Sequence, residues 1–277
     1  MTTLRAATNR TVGSMILMIA VIMSLAPFAL VLINAFKSHA AIVQNPLALP
    51  ESVNLANFRA AWKGANFTVG IGNSLILTLS TVFITVLTAT LAAFPLARRR
   101  IASWKLISIY FLVSVTVPIQ LFLFPLYFLY ARLGLVGNLC ATSVILAAIN
   151  LPLAILLLRT YVLTVPAELD DAALMDGASP RQIFWHVIVP LLRPGIVTVT
   201  VIVALNTWNE FLITSTFQQG NAGFTMTLGY RAMAGAMSAD RGLMMAGACI
   251  VIIPILIFFL LVQKLFVEGM TAGAVKG

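Results

Sequence analysis

The residues best suited to chemistry lie in two short polar passages of an otherwise apolar chain. One reads TWNEFL, Thr207 to Leu212, and the other reads DDAALMDGASPRQIFWHVIVPLLRP, Asp171 to Pro194. In the first, Glu210 stands among amide and indole side chains, which offer hydrogen bonds and an aromatic face suited to a sugar. The candidate binding residues are Asn206, Trp208, Asn209 and Glu210, with Gln120 beside Pro118 and Asn150 beside Pro152 as weaker candidates.

Enzymatic chemistry finds no support in the sequence. The two cysteines, Cys140 and Cys249, and the two histidines, His39 and His186, show no metal-ligand spacing. The chain contains neither a Gly-rich phosphate loop ending in Gly-Lys-Ser/Thr nor a Gly-x-Ser-x-Gly elbow. No nucleophile with a base and an orienting group is recognisable. We therefore expect a protein that is not an enzyme and binds neither metal nor nucleotide itself.

Membrane helices must position both polar passages. Apolar residues make up 61% of the chain and charged residues 9%, against roughly 45 to 50% and about 25% in soluble domains. A transmembrane helix needs about 20 apolar residues. Six stretches qualify, near 14–36, 71–96, 106–130, 139–158, 195–216 and 243–265. The expected fold class is an all-α membrane protein, with six transmembrane helices in one domain over 1–277.

The distribution of basic residues predicts the orientation. If the N-terminus is cytoplasmic, eleven of the 17 Lys and Arg residues lie on the inner side and six on the outer side. The positive-inside rule then places both termini and the 164–194 loop in the cytoplasm. The net charge of +9 could also suggest nucleic acid or anionic lipid. Most of the basic residues flank span ends, however, where topology explains them, and we expect no nucleic-acid partner.

The 164–194 loop has the sequence of two short helices that meet at a corner. Pro166 suits the first turn of a helix, where acidic residues complement the positive end of the helix dipole. Gly177 can adopt the left-handed conformation that ends this helix. Ser179 then provides an N-cap, with Gln182 in the capping-box position. The acidic residues of the first turn are Glu168, Asp170 and Asp171.

The two predicted helices differ in character. The second has one apolar face, which we expect to lie against the cytoplasmic ends of the spans. Its residues are Ile183, Phe184, Val187, Ile188 and Leu191. The first helix is acidic on one side and has small residues, Ala172 and Ala173, on another, which suits docking into a groove of a partner. A solvated amphipathic loop and an interfacial helix on lipid are the alternatives, and the acidic residues argue against lipid.

The loop resembles that of the permease subunits of ATP-binding-cassette (ABC) importers. Their pattern is Glu-Ala-Ala, three residues, Gly, nine residues, Ile, one residue, Leu-Pro. The matching positions here are Asp171, Ala172, Ala173, Gly177, Val187, Val189 and Pro190, with Asp for Glu and Val for both Ile and Leu. Three passages are similar to the carbohydrate-importer branch, the maltose-type inner-membrane permeases: TWNEFL, PLYFLYARLGLVGN and the terminal QKLFVEGMTAGAVKG.

The resemblance implies a permease subunit in the cell inner membrane that forms half of a sugar pathway. Its partners would be a second homologous permease, two ATPase subunits that bind ATP and Mg²⁺, an extracytoplasmic sugar-binding protein and membrane lipid. The chain itself would hold no cofactor. The loop residues expected to contact an ATPase subunit are Glu168, Asp171, Ala172, Ala173, Met175, Asp176, Gly177 and Pro190. The expected tail contacts are Gly269, Thr271, Gly273 and Lys276.

Several alternatives remain open at this point. Glu210 and Asn209 could hold helix ends, Trp208 could anchor at the membrane interface, and the C-terminal residues could be a frayed tail. An ion-coupled secondary transporter would need buried carboxylates or broken helices in matching halves, whereas Glu210 is the only acid inside a predicted span. The cargo could be a sugar, a polyol or a sugar phosphate, and the two permeases could be identical or different.

Overall fold

A computed structural model describes residues 2–220, 223–237 and 239–274, and within these ranges the chain forms helices and no strand. The first seven α-helices are α1 (Thr2–Ala35), α2 (His39–Gln44), α3 (Ala56–Gly64), α4 (Phe67–Ala97), α5 (Trp104–Thr116), α6 (Leu123–Arg132) and α7 (Leu139–Thr164). The others are α8 (Glu168–Met175), α9 (Pro180–Gln182), α10 (Val189–Leu191), α11 (Arg193–Trp208), α12 (Leu212–Phe217), α13 (Met226–Ala236) and α14 (Arg241–Ala274). A 3-10 turn, Ile119–Phe122, precedes α6, and a π-helical segment, Ile183–Ile188, joins α9 to α10.

The chain divides into two compact units. The first comprises Met1–Asn66 and Tyr230–Ile253, and the second comprises Phe67–Gly229 and Pro254–Gly277. In the first unit, the ammonium group of Lys37 is buried and donates to the carbonyls of Asn45 and Ala48, each at 2.8 Å. Both polar passages belong to the second unit.

Within the described residues, four helices are long and apolar enough to cross a membrane. They are Gly13–Ala35, Phe67–Ala97, Leu139–Thr164 and Arg241–Lys264, and they coincide with the predicted spans near 14–36, 71–96, 139–158 and 243–265. Two bent helix pairs, Trp104–Thr116 with Ile119–Arg132 and Pro180–Leu191 with Arg193–Trp208, raise the number of candidate spans to as many as six.

The predicted spans near 106–130 and 195–216 are not continuous helices. The first bends by 90° at Pro118, because the residue before a proline avoids the helical conformation. Val117 is accordingly extended, with ψ of 121°. The second ends at Trp208, and the chain restarts as α12 at Leu212. Two breaks therefore replace two predicted straight helices.

The Gly- and Ala-rich stretch near 218–242 has a composition typical of a loop, but it contains helix α13. Its first residues are fixed by one local contact and by one distant contact that the local sequence does not reveal. The N–H of Leu228 donates to Thr225 Oγ1 at 3.3 Å, and the N–H of Met226 donates to Ser74 Oγ at 2.9 Å. The partner on α4 lies 152 residues away, which explains why composition alone indicated a loop.

The core of the second unit forms where α4, α7, α11 and the 164–194 loop pack together. Its fully buried members include Leu96, Ile155, Leu158, Ile183, Ile188 and Leu192. Helices α7 and α11 approach closely at Gly195, where an added Cβ would lie only 2.6 Å from Cγ of Tyr161. The Tyr161 hydroxyl also forms a hydrogen bond of 3.2 Å with Thr198 Oγ1. The loop is thus packed into the same core as the apolar helices.

Candidate functional site

Helix α8 and its corner have the predicted local structure, except that Pro166 lies before the helix, whose N-cap is Ala167. The helix spans Glu168–Met175, with all three predicted acidic residues in its first turn. Gly177 has φ of 81°, and the N–H of Ala178 donates to the carbonyl of Ala173 at 3.0 Å. A hydrogen bond from an N–H to the carbonyl five residues earlier, across a left-handed residue, defines a Schellman cap. The prediction that Gly177 ends the helix in a left-handed conformation is confirmed.

The restart of the chain after the corner is also confirmed. Ser179 is extended, and its Oγ accepts from the N–H of Gln182 at 3.4 Å while the Gln182 side chain accepts from the N–H of Ser179 at 2.8 Å. These two bonds are the predicted capping box. Because both sides of the corner are capped, the segment from α8 to α10 has few free backbone groups at its turn.

The apolar face of the second helix differs from the prediction at one position. Ile183, Phe184 and Ile188 are buried, but Leu191 is 48% exposed and Leu192 is buried instead. The π-helical segment explains the shift. The N–H of Val189 donates to the carbonyl of Phe184, five residues back, so that the turn contains an extra residue and the buried face moves along by one.

Helix α8 is tied to the end of α4 by a buried ion pair that sequence reasoning missed. Asp170 Oδ2 lies 3.1 Å from Arg98 Nε, and Asp170 Oδ1 lies 3.1 Å from Arg98 Nη2. The exposed fractions of the two side chains are 11% for Arg98 and 6% for Asp170. Arg98 Nη1 also donates to the carbonyl of Val165 at 2.9 Å. The guanidinium therefore holds both the start of α8 and the residue where α7 ends.

Arg100 makes a second, more exposed contact to the same carboxylate. Its Nη2 lies 3.4 Å from Asp170 Oδ2, and its side chain is 36% exposed. The guanidinium also stacks over the ring of Phe94, 4.8 Å from the ring centroid. The three consecutive arginines at the end of α4 were a visible signal, but a single sequence does not show which acidic residue they contact.

The outer face of α8 is open to solvent. Met175 is 88% exposed and Leu174 is 46% exposed, and Trp185 in the following helix is 43% exposed. The remaining predicted contact residues that are exposed are Glu168, Asp171, Ala172, Asp176, Gly177 and Pro190. Ala173 is half-buried against the core, so Ala172 alone provides the small exposed side chain. This face combines carboxylates with apolar side chains that nothing in the described chain covers.

The second polar passage lines a cavity of about 400 Å³ between α7, α11 and α12. Asn206 Nδ2 donates to Asn150 Oδ1 at 3.1 Å, which joins the amide groups of α11 and α7. The lining residues are Ile119, Leu146, Ile149, Asn150, Leu205, Asn206, Thr207, Asn209, Glu210 and Ile213. The volume falls within the range of small-molecule sites.

Within this passage, Glu210 and Trp208 have structural roles. The two carboxylate oxygens of Glu210 accept from the N–H groups of Ile213 and Thr214, at 2.7 and 2.8 Å. Glu210 therefore caps α12 at the helix break, which is the alternative role considered for it. The indole of Trp208 is only 7% exposed and does not line the cavity. Thr207, which the sequence did not single out, contributes a buried hydroxyl without a hydrogen-bond partner.

The C-terminal residues continue helix α14 as far as Ala274. The backbone positions of Gly269, Thr271 and Gly273 are therefore helical, whereas Lys276 lies outside the described residues. The predicted contact of this tail with an ATPase subunit remains a prediction.

Comparison with known proteins agrees with this geometry. The family model for the binding-protein-dependent transport system inner membrane component matches residues 85–271. A crystal structure of a bacterial ABC transporter involved in the import of the acidic polysaccharide alginate aligns with a TM-score of 0.74 at 24% identity, over 91% of this chain and 94% of that chain. At this level of identity, the alignment shows that the two chains share a fold.

Two curated relatives extend over most of the chain. The probable ABC transporter permease protein YurM of Bacillus subtilis (strain 168) is 33% identical, over 91% of this chain and 83% of its own length. The trehalose transport system permease protein SugB of Mycobacterium tuberculosis (strain CDC 1551 / Oshkosh) is 32% identical, over 85% of this chain and 86% of its own length. The resemblance inferred from the loop is confirmed. The chain belongs to the family of binding-protein-dependent transport system inner membrane components and is an ABC transporter permease.

Proposed function

We propose that this permease imports a sugar. We also propose that it has six spans and that both termini lie in the cytoplasm. The proposal is supported by relatives named for trehalose and for starch degradation products, the latter being the AmyC permease of Thermoanaerobacterium thermosulfurigenes, which is 30% identical over 91% of this chain. The excess of basic residues near one set of span ends supports the orientation. A second homologous permease completes the pathway, and a sugar-binding protein delivers the cargo outside.

In this proposal, the exposed face of α8 docks into a cleft of an ATPase subunit. The observation that carries the proposal is the contrast between the two faces of α8: Asp170 is buried in an ion pair with α4, while Met175 on the outer face is 88% exposed. A helix that is fixed on one side and uncovered on the other can transmit the movement of a docked partner. ATP and Mg²⁺ are bound by the ATPase subunits. The tail from Gly269 to Lys276 lies between those subunits and forms a second contact with them.

Site-specific cross-linking tests the docking. Met175 is replaced by Cys in a chain whose Cys140 and Cys249 have been changed to Ala, and the assembled transporter is treated with a short reagent that joins a thiol to a lysine amine of the partner. We expect a cross-link to the ATPase subunit. Leu47→Cys is the matched control, because Leu47 is 70% exposed but lies in a segment predicted to be outside the cell. Labelling of Met175→Cys in intact cells by a membrane-impermeant reagent would contradict the proposed orientation.

The cavity between α7, α11 and α12 contributes the contacts to the sugar. The amides of Asn150, Asn206 and Asn209 line it, and amide groups both donate to and accept from hydroxyl groups. Glu210 fixes the broken end of α12 in this arrangement, whereas buried Trp208 makes no contact with the sugar.

Sugar binding by the assembled transporter without its binding protein tests this assignment. Removal of one hydrogen-bonding amide costs about 1 kcal/mol, so Asn206→Ala is expected to weaken binding about fivefold. Gln120→Ala is the control, because Gln120 is exposed and adjacent to the lining residue Ile119 but does not line the cavity. Equal affinities for the two variants would remove the cavity from the proposed pathway.

An ion-coupled secondary transporter is not favoured. Such a transporter requires an acidic group inside the membrane that can bind and release an ion. Glu210 is the acid inside the predicted spans, and both of its oxygens already accept backbone N–H groups. Its role as a helix cap argues against ion coupling.

A further inference from the structure

Three basic side chains surround one indole ring at the end of α4. The guanidinium carbons of Arg99 and Arg159 lie 4.9 and 5.6 Å from the ring centroid of Trp104, and the ammonium nitrogen of Lys105 lies 5.7 Å from it. We call these four residues the Trp104 cluster. They come from the end of α4, the start of α5 and the last turns of α7. Separate elements of the second unit thus concentrate positive charge at one place.

No carboxylate within the described side chains neutralises this cluster. Both ion pairs found there use Asp170, and their basic partners are Arg98 and Arg100. The Nε atom of Arg159 is buried and has no hydrogen-bond partner. An aromatic face attracts cations but carries no net charge, so three mutually repelling cations remain unbalanced. An external anion would balance this charge.

The left-handed backbone conformation of Arg99 suggests that its side chain has a function. Arg99 has φ of 54°, a left-handed conformation at the end of α4. Glycine adopts this conformation without strain, and glycines occupy four of the other five left-handed positions among the described residues, with Asn66 as the fifth. An arginine here carries a conformational cost that glycine would avoid, and it directs a guanidinium to Trp104.

The cluster lies beside an apolar surface suited to acyl chains. Helix α5 has no buried residue, and Leu106 and Tyr110 on it are 70% and 66% exposed. Trp and basic residues at the ends of apolar helices lie at the level of lipid head groups, and basic pockets between such helices bind anionic head groups. The nearby apolar face accommodates the lipid tail, which a free inorganic ion would not need.

We propose that the Trp104 cluster binds the phosphate group of an anionic phospholipid. The guanidinium groups of Arg99 and Arg159 donate charge-assisted hydrogen bonds to the phosphate oxygens, and Lys105 adds a third positive charge. The acyl chains lie along the exposed face of α5. This site does not depend on the identity of the transported cargo or on which side of the membrane the loop lies.

Native mass spectrometry of the complete transporter complex tests the site. The complex is purified in detergent and titrated with phosphatidylglycerol or, separately, with phosphatidylcholine. We expect one tightly held phosphatidylglycerol and no comparable retention of phosphatidylcholine. Each basic residue near a membrane surface contributes about a fivefold gain in affinity for anionic lipid. The triple variant R99Q/K105Q/R159Q should therefore lose affinity for phosphatidylglycerol by about a hundredfold.

Two further variants separate charge from structure. Arg132→Gln is the matched control, because Arg132 lies over the Phe128 ring at 4.3 Å as a single cation outside the cluster, and it should leave lipid retention unchanged. The variant R99K/R159K conserves the charges and should keep the lipid. If the triple variant fails to assemble, Arg99→Gln alone is used, since Arg99 is exposed, with an expected loss of about fivefold.

Two outcomes would overturn the proposal. One is retention of phosphatidylglycerol at the wild-type level by the triple variant, or by Arg99→Gln where the triple variant does not assemble. The other is release of the lipid by inorganic phosphate at an equal concentration, which would assign the site to a free phosphate ion. Neither measurement requires transport or ATP hydrolysis, so failure here is distinguishable from failure of the proposed import function.

Discussion

The 164–194 loop and the TWNEFL passage satisfy their carboxylates in opposite ways. Asp170 forms an ion pair with Arg98, which lies 72 residues away on another helix, whereas Glu210 accepts N–H groups three and four residues ahead in its own chain. Asp170 therefore connects α8 to the end of α4, whereas Glu210 stabilises only the start of α12. The difference shows that α8 is fixed to the end of α4, and that the cavity lies beside a helix break stabilised by local contacts.

Replacement of Asp170 by Ala should have the largest effect. It leaves the Arg98 guanidinium buried without its partner, which costs about 3 kcal/mol or more, and it frees the start of α8 from α4. We expect a lower thermal unfolding temperature of the assembled transporter and the loss of ATP-driven uptake. The double variant R98M/D170L should recover most of the stability, because no isolated charge remains. If D170A alone is as stable as the wild type, the ion pair does not hold the loop.

The corner can be tested separately from the ion pair. Gly177→Val forces a β-branched residue into a left-handed conformation and should cost about 1 to 2 kcal/mol. We expect ATP hydrolysis to continue while uptake falls, as measured by the ratio of sugar transported to ATP consumed in proteoliposomes. Gly134→Val is the control: Gly134 has φ of 66° and, like Gly177, no neighbouring atom within 4 Å. An unchanged ratio in Gly177→Val would show that the corner is not needed for coupling.

Glu210→Gln should have a smaller and local effect. The amide retains one acceptor oxygen, so one of the two bonds to the start of α12 is lost, at a cost of about 1 kcal/mol. We expect weaker sugar binding by the assembled transporter with unchanged coupling of uptake to ATP hydrolysis. A fall in the coupling ratio without a change in sugar affinity would reverse the roles assigned to the two regions.

Arg100→Gln should have the smallest effect. This side chain is 36% exposed, and ion pairs at exposed positions contribute about 0 to 1 kcal/mol. We expect a slight decrease in the unfolding temperature that disappears at high salt, where exposed charges are screened. The buried Arg98 pair should resist the same salt. A large and salt-independent effect of Arg100→Gln would show that both arginines hold Asp170 equally.

Features set by neighbouring residues could be predicted from the sequence. The helix stop at Gly177 and the capping box from Ser179 to Gln182 depend on residues within a few positions of each other, and both are confirmed. The family could be recognised for the same reason, because its loop pattern is a set of short spacings.

Features that depend on distant residues could not be predicted in the same way. The pairing of Arg98 with Asp170 and the start of α13 against Ser74 join residues more than 70 positions apart. The burial of Trp208 depends on how α11 packs, which the local composition TWNEFL does not reveal. The break at Pro118 had a local signal, but the apolar run around it was long enough to indicate one straight span.

The π-helical turn at 183–188 makes the length of this segment as important as its composition. Each residue in a helix rotates the chain by about 100°, so the deletion of a single residue here would turn Pro190 and everything up to α11 to a different side. Substitutions between apolar residues preserve the register, as the Val residues at 187 and 189 illustrate, whereas insertions and deletions do not. Among related chains, this segment should therefore vary in its side chains while its residue count stays fixed.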